Sequence, residues 1–130
     1  MRLVLKPLIL ALFTASFLWV GAQKTATYYH DNRFFHEAVD LFEKEKFAAS
    51  HAKFQEFIDL SDDHREELRI AAEYYSGICS LYLFHKDAEY VLEQFVLDHP
   101  DSPWVQKVYY ELAAYNYKRK KHKKALEWFE

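Results

Sequence analysis

Histidines are the residues of this sequence that could bind a metal ion. Seven are present, at the positions His30, His36, His51, His64, His85, His99 and His122. A zinc site needs ligands at short helical spacing or a motif such as HExxH, and the sequence contains neither. Most of these residues fall at predicted helix ends or on polar faces, which favours solvated side chains. We expect no metal and no cofactor, with a single zinc contact at His30 and His36 beside Asp31 as the alternative.

The sequence also lacks the motifs of common catalytic sites. It contains no GxSxG, no Cys–His pairing motif and no glycine-rich phosphate loop, and only 2 glycines are available to build one. Cys79, the single cysteine, lies in the apolar stretch GICSLYL, which favours a small buried side chain; a reactive thiol is the alternative. Carboxylates stand at helix-surface distances from lysines, as in FEKEK. The prediction is a protein that is not an enzyme.

A basic run, KRKKHKK at residues 118–124, is a strong local charge. Such runs are typical of nucleic-acid or localisation patches. The chain as a whole is acidic, however, with a formal net charge of −3, and the run falls on a predicted turn between two helices. We therefore expect a solvated turn and no nucleic acid, with contact to an acidic partner or to lipid head groups as the alternative.

The N-terminal segment, residues 1–22, has the pattern of a secretory signal peptide. Arg2 and Lys6 form a basic region, residues 8–20 are an apolar run, and small residues end the segment. A membrane anchor is the rival interpretation, but this run is shorter than the roughly 20 residues that a spanning helix needs. We expect cleavage at the end of the segment, a linker over residues 23–30 and no membrane span in the mature chain. The expected location, after secretion across the inner membrane, is the periplasm or the outer membrane.

The composition indicates an all-α protein. Hydrophobic residues make up 51% of the chain and aromatic residues 18%, whereas only 2 Gly and 3 Pro are present. With so few turn-forming residues, a sandwich or barrel of many short strands is disfavoured. The apolar periodicity predicts helices over residues 31–44, 47–60, 63–84, 87–99, 102–118 and from 122 onward.

Two helices form a unit that recurs about every 37 residues. The second helix of each unit carries a small residue and, four positions later, a large apolar one: Ser50 and Phe54, Ala88 and Leu92, Ala125 and Phe129. The first helix carries a small residue near its middle: Ala38, Gly77 and Ala113. Small residues allow paired helices to approach closely, and the large side chain fills the space beside them. Since a single pair cannot bury its apolar face, the units are expected to stack.

The stretch LAAYNYKRKKHKKALEWFE resembles the later part of the tetratricopeptide-repeat signature, with Ala125 and Phe129 as its Ala and Phe. The second unit matches the signature at its Gly, its Ala and its closing Pro: Gly77, Ala88 and Pro100. HPDSPWVQKVYYELA is similar to the bacterial cell-envelope subtype, seen in the outer-membrane assembly lipoprotein and the periplasmic Tol–Pal coordinator. The resemblance implies an α-solenoid of antiparallel helix pairs over residues 31–130, with about two and a half to three repeats.

Three further features bear on this resemblance. The first unit has Ser50 where Ala is usual, and it lacks the closing Pro. The stretch QKTATYYHDNRFF, together with the signal peptide, is similar to the start of long secreted repeat proteins of Bacteroidetes-type bacteria. The last predicted helix is short and has Trp128 and Phe129 on an open face, so we expect further repeats or a further domain beyond residue 130.

In stacked repeats of this family the first helices line a concave surface where ligands bind. Projecting the repeat onto this chain predicts partner-binding side chains at Phe35, Val39, Phe42, Tyr74, Ile78, Tyr110 and Tyr117. Tyr would supply contact area with a polar tip. The alternative is that these residues are core, or contacts to further repeats, since aromatic stripes are usually core.

The resulting prediction is a non-enzymatic scaffold of the bacterial envelope that binds a protein or peptide partner on its concave helical surface. Two alternatives stay open. One is a targeting or peptidoglycan-associated module of a larger protein, catalytic or not, truncated at residue 130. The other is a structural solenoid that associates with itself through its open edge.

Overall fold

A computed structural model describes residues 33–61 and 66–129 of the chain. Within these ranges the regular elements are α-helices, and no strand is present. The helices are α1 over residues 33–43, α2 Phe47–Leu60, α3 Glu66–Tyr82, α4 Ala88–Asp98, α5 Val105–Lys118 and α6 His122–Glu127. The predicted all-α class is confirmed, and the observed helices follow the predicted ones in order.

Two of the predictions concern the N-terminal part of the chain. The signal peptide and the linker, residues 1–30, lie outside the described residues. In the described part, no helix is both long enough and apolar enough to cross a membrane.

The helices α1, α3 and α5 end in the same kind of turn. The second residue after each helix has a positive φ, and these residues are Glu45 at 56°, Phe84 at 58° and Lys120 at 61°. The backbone amide of the residue that follows each positive-φ residue donates a hydrogen bond to the carbonyl oxygen five residues earlier. The three bonds run from Lys46 to Leu41 at 2.9 Å, from His85 to Ser80 at 3.0 Å and from Lys121 to Asn116 at 2.9 Å. This is the Schellman geometry, which satisfies carbonyl groups at a helix end. The turns lie 39 and 36 residues apart, the spacing of the small residues Ala38, Gly77 and Ala113.

Each of these turns leads into a helix that runs back along the previous one. In α1 and α2, Phe42 and Phe47 meet beside the turn with ring centroids 5.6 Å apart. Phe35 and Phe57 meet at the other end of the same pair, 5.5 Å apart. The pair of α3 and α4 has the same order of contacts, with Gly77 against Leu92 nearer the turn and Tyr74 against Phe95 farther from it. In the pair of α5 and α6, Tyr117 meets His122 beside the turn and Tyr109 meets Trp128 farther from it. The paired helices are therefore antiparallel.

Small residues lie where the paired helices are closest. The predicted packing residues that are buried are Ala38, Ser50, Phe54, Gly77, Ala88, Leu92, Ala113 and Ala125. The Ser50 hydroxyl donates a hydrogen bond to the carbonyl oxygen of Ala38 at 2.8 Å, which ties α2 to α1. Gly77 lies so close to α4 that a Cβ at this position would be 2.6 Å from Cδ2 of Leu92.

The end of α6 differs from the prediction. Phe129 is predicted both as a packing residue of its unit and, with Trp128, as part of an open face; its side chain is 66% exposed, which agrees with the open face and not with the packing role. The reason is that α6 ends at Glu127, so that Phe129 follows a turn rather than the helical stripe. Trp128 packs against the core instead, and its ring stacks on Tyr109 with centroids 5.8 Å apart.

The central helix is α3, which contacts α2, α4 and α5. Tyr75 packs against both apolar clusters of the core and so links them. α3 and α5 run in the same direction, because Tyr74 stacks on Trp104 at 4.6 Å and, two turns later, the Tyr82 hydroxyl donates to Glu111 at 3.2 Å. This arrangement brings the start of α3 beside the segment that leads into α5.

Candidate functional site

A groove of about 850 Å³ opens between α1, the start of α3 and the connection from α4 to α5. Its size lies within the roughly 300–1,000 Å³ that is typical of ligand-binding clefts. The lining is mainly apolar, and charged side chains stand at the rim. A second depression, between α2, α3 and α4, is smaller, at about 290 Å³. We therefore take the larger groove as the candidate site.

Aromatic side chains from three elements form the floor of the groove. Phe35 of α1 meets Tyr75 of α3 edge-on, with ring centroids 6.4 Å apart, and Tyr75 meets Trp104 at 5.4 Å. Tyr74 stacks on one face of Trp104 and holds this ring against α3. Ala71, one turn before Tyr75, is small and leaves the space above the floor open. Helix packing thus fixes the rings before a ligand binds, which lowers the entropy lost on binding.

Four carboxylates stand on the rim of the groove. Glu66 and Glu67 lie in the first turn of α3, while Asp98 ends α4 and Asp101 follows in the connection to α5. All four are exposed, and none forms an ion pair with a described residue. Among the described residues, no Lys or Arg lines the groove. The rim therefore places negative charge on two sides of an apolar floor.

His99 ties the connection between α4 and α5 to α3. Its Nε2 lies 2.8 Å from Oε2 of Glu73, whose other oxygen accepts a hydrogen bond from Arg69 Nε at 3.1 Å. The Ser102 hydroxyl accepts a hydrogen bond from the backbone amide of Trp104 at 3.3 Å, so Ser102 orients the residue that precedes α5. These bonds hold one side of the groove in place.

Tyr75 and Ser102 are the residues with a hydroxyl group in the lining of the groove. Burial, together with the negative charge of Glu43, raises the pKa of Tyr75, so its phenol stays protonated and can donate a hydrogen bond. The hydroxyl of Ser102 is already engaged with the backbone. Within residues 33–61 and 66–129, no group of three or more His, Cys, Asp or Glu side chains is placed to hold a metal ion.

No protein-family model, curated protein or solved structure matches the chain. The resemblance to tetratricopeptide repeats therefore stays a prediction from the sequence.

The predicted partner-binding residues fall into different environments. Phe35 and Val39 line the groove. Phe42 is half-buried and contacts Tyr75 with ring centroids 5.0 Å apart, outside the groove lining. Tyr74 and Ile78 are only 6% and 1% exposed, because they pack between α3, α4 and α5, and so they offer no surface to a partner.

Two predicted residues lie on a separate surface. Tyr110 and Tyr117 of α5 are 63% and 65% exposed, and neither lines the groove. Sequence reasoning missed Tyr75 and Trp104, which form most of the floor. Tyr75 is the second residue of the pair YY, and successive helical residues differ by about 100° in direction. Choosing Tyr74 instead therefore selected the wrong face of α3.

Cys79 and the pair of His51 and His85 are the reactive side chains of the described residues that lie, away from the groove, between α2 and the end of α3. Cys79 is fully buried, and burial raises the pKa of its thiol to about 11, while a hydrogen bond to Ser50 acts in the opposite direction. His51 and His85 lie with ring centroids 5.5 Å apart, a contact that their sequence spacing does not suggest. Burial, and next the neighbouring His85, lower the pKa of His51, with Asp87 opposing them. Both features belong to the packing of α2 against α3.

The basic run at residues 118–124 is partly engaged within the protein. Lys124 Nζ donates to Oε2 of Glu89 on α4 at 2.5 Å, and Lys121 Nζ lies 3.7 Å from the other oxygen. Burial works to raise the pKa of Glu89, but hydrogen bonds from Lys124 and Asn116 outweigh it, and the net shift is downward. The expectation of a solvated turn holds for the exposed residues 118–120, whereas Lys124 joins α6 to α4.

Proposed function

We propose that this protein is a non-enzymatic scaffold that binds a segment of a partner protein in the groove. The observation that carries the proposal is the aromatic floor of Phe35, Tyr75 and Trp104, at the base of a cleft of about 850 Å³. Aromatic side chains supply a large contact area, and rings that are already held by packing lose little entropy on binding. A mainly apolar cleft with charges at its rim suits a peptide segment better than a small polar metabolite.

A tetratricopeptide-like α-solenoid, with about two and a half to three repeats, is the architecture that we propose for this scaffold. The equivalent turns at Glu45, Phe84 and Lys120 support a repeated unit. The parallel course of α3 and α5 supports the stacking of successive pairs. In solenoids of this kind the first helices line the binding side, and here α1 and α3, both first helices, line the groove.

We also propose that the scaffold acts in the bacterial envelope. The support is the pattern of residues 1–22, which is typical of a secretory signal peptide. Fractionation of source cells, followed by intact mass measurement, tests this. We expect a species outside the cytoplasm that begins near Gln23, and a cytoplasmic species that keeps Arg2 and Lys6 would contradict the proposal.

Binding in the groove can be tested by selecting short random peptides on the full chain. Val39→Trp would project a larger side chain into the groove from α1, and Val91→Trp makes the same change on α4, away from the groove. We expect Val39→Trp to weaken binding of the selected peptides about tenfold or more, and Val91→Trp to leave it within about twofold. Circular dichroism and melting temperature should show that both variants are folded.

Two outcomes would contradict the proposal. Peptides that bind the wild type and Val39→Trp equally would contact another surface, which contradicts the proposed site. A selection that yields no groove-dependent peptide at all would also contradict a peptide-binding scaffold.

Exposed aromatic residues on α5 favour a second candidate function, which is self-association. Tyr110 and Tyr117 lie one unit after Tyr74 and Leu81, and those two residues are buried at 6% and 2% exposure. A second copy of the chain could cover this face of α5 in the way that the third unit covers α3. Sedimentation of the full chain should then show association that Tyr110→Ser with Tyr117→Ser removes. A monomer at every concentration would exclude this candidate.

A further inference from the structure

We infer that the groove selects a positively charged peptide segment, in which an apolar side chain contacts the floor and flanking Lys or Arg side chains meet the rim. This inference rests on the proposed function and adds the class of partner. It is carried by the negative charge that stands on two walls of an apolar groove.

Negative charge lies on two different walls of the groove. Glu66 and Glu67 belong to the start of α3, whereas Asp98 and Asp101 belong to the end of α4 and the connection after it. A ligand on the aromatic floor would therefore have carboxylates on both sides. Because exposed charges interact over a Debye length of about 8–10 Å at moderate salt, both walls act on the same bound segment.

Some carboxylates elsewhere on the described surface have cationic partners within the chain. Asp40 pairs with Lys44 at 2.6 Å, and Glu56 pairs with Lys53 at 3.0 Å. Glu89 pairs with Lys124 across α4 and α6. The four rim carboxylates form no ion pair with a described residue, and neither do Asp59 and Glu127, but only the rim carboxylates lie together around an apolar floor. As far as the described residues go, the carboxylates of the rim are therefore available to a cationic ligand.

The aromatic floor does not provide the cation site itself. Tyr74 stacks on one face of Trp104, and Lys107 Nζ lies 4.3 Å from the ring centroid, which places it over the other face. Since both faces are occupied, the edge of this ring is left for apolar contact with a ligand. A cation–π contact is already made within the protein. Recognition of ligand cations thus falls to the carboxylates of the rim.

The test uses the random-peptide selection on the full chain and neutral variants of each wall. The first double variant is Glu66→Gln with Glu67→Gln, and the second is Asp98→Asn with Asp101→Asn. The matched control, Asp59→Asn with Glu127→Gln, removes the same charge from exposed positions on α2 and α6, outside the groove. Comparison of melting temperatures shows whether each variant remains folded.

We expect the selected peptides to be enriched in Lys and Arg beside an aromatic or aliphatic residue. Each wall variant should weaken their binding by about three- to tenfold, since exposed ion pairs contribute modestly, and the control should leave it within about twofold. Added salt should weaken binding to the wild type more than to the wall variants, because salt screens exposed charges.

The outcomes separate this inference from the proposed function. Neutral or acidic peptides that depend on the groove, and that Val39→Trp displaces, would overturn the inference and leave the scaffold proposal standing. Cationic peptides that bind the wall variants and the control equally would also overturn it. A selection without any groove-dependent peptide would overturn both.

Discussion

The contact between Gly77 and Leu92 leads to a prediction about Gly77→Ala. This substitution should destabilise the protein when Leu92 is present and stabilise it when Leu92 has been replaced by Ala. A Cβ added at residue 77 would lie 2.6 Å from Cδ2 and 3.2 Å from Cγ of Leu92. Leu92 is fully buried, so its side chain has little space into which it can move. Gly77→Ala should therefore force α3 and α4 apart or drive Leu92 from its preferred rotamer.

The size of this effect follows from two opposing contributions. Overpacking of a core costs about 1–3 kcal/mol. Replacing Gly by Ala within a helix stabilises it by roughly 0.5–1 kcal/mol. The net expectation for Gly77→Ala is a loss of up to about 2.5 kcal/mol in the free energy of unfolding, which lowers the melting temperature by up to several degrees in a domain of this size.

Removal of Leu92 should reverse the sign. Leu92→Ala alone costs about 2–5 kcal/mol, since it deletes a fully buried side chain. In that background the atoms that meet the new Cβ are gone, and the next neighbour, Cγ1 of Val91, is at an ordinary 3.9 Å. Gly77→Ala should then stabilise the protein by roughly 0.5–1 kcal/mol, which makes the coupling between the two sites about 1–3 kcal/mol.

Equilibrium unfolding in urea of the wild type, both single variants and the double variant measures this coupling. Ala52→Gly, at an exposed position of α2, calibrates the helix-propensity contribution in the same protein. If Gly77→Ala is stabilising in the wild type, then Leu92 can adjust freely and the close approach of α3 to α4 does not require glycine. Ala38 and Ala113 occupy the corresponding positions of α1 and α5, so a Cβ is accommodated at this position in the other two helix pairs.

Three further predictions concern single residues. Lys120→Gly should raise the free energy of unfolding by about 0.5–1 kcal/mol, because Lys120 has a φ of 61° that glycine adopts without strain. Lys118→Gly, at the last residue of α5, is the control and should lower the free energy of unfolding in the same thermal melts. Ser50→Ala should cost about 0.5–1.5 kcal/mol in urea unfolding through loss of the buried hydrogen bond to Ala38, and a neutral result would mean that this bond is dispensable. The stability of the wild type should fall as the pH rises above about 9, because the thiol of Cys79 loses its proton first in the unfolded chain, while burial holds its pKa near 11 in the native protein. Cys79→Ala should lessen that fall. If the variant shows the same dependence of stability on pH as the wild type, Cys79 is not the group responsible.

Local patterns in the sequence predicted the helices well because helix formation depends on neighbours along the chain. The bounds of α2 agree at both ends with the predicted range 47–60. The spacing of Ala38, Gly77 and Ala113 anticipated the interval between the three Schellman turns, although no glycine marks those turns. Ser50, which departs from the repeat signature, is explained only by the structure, where its hydroxyl reaches the backbone of α1.

The candidate site was predicted less well, for a reason of geometry. Phe35 and Val39 were identified, but Tyr75 and Trp104 were not, and Tyr74 was placed on the surface although it is buried. A rotation of α3 by one residue exchanges Tyr74 and Tyr75 between core and groove. The period of the helix sets the spacing of such residues but does not set which of two adjacent aromatics faces the neighbouring helix.

The sequence by itself determined the secondary structure, the pairing of consecutive helices and the repeat interval, since all of these arise from contacts among residues close in the chain. Only the tertiary structure decided where a groove opens and which charges surround it. The floor joins Phe35, Tyr75 and Trp104, and the rim joins the start of α3 to the end of α4. These residues meet because the packing of small side chains such as Gly77 sets the distance and rotation of each helix against the next, and that packing depends on all the helices at once.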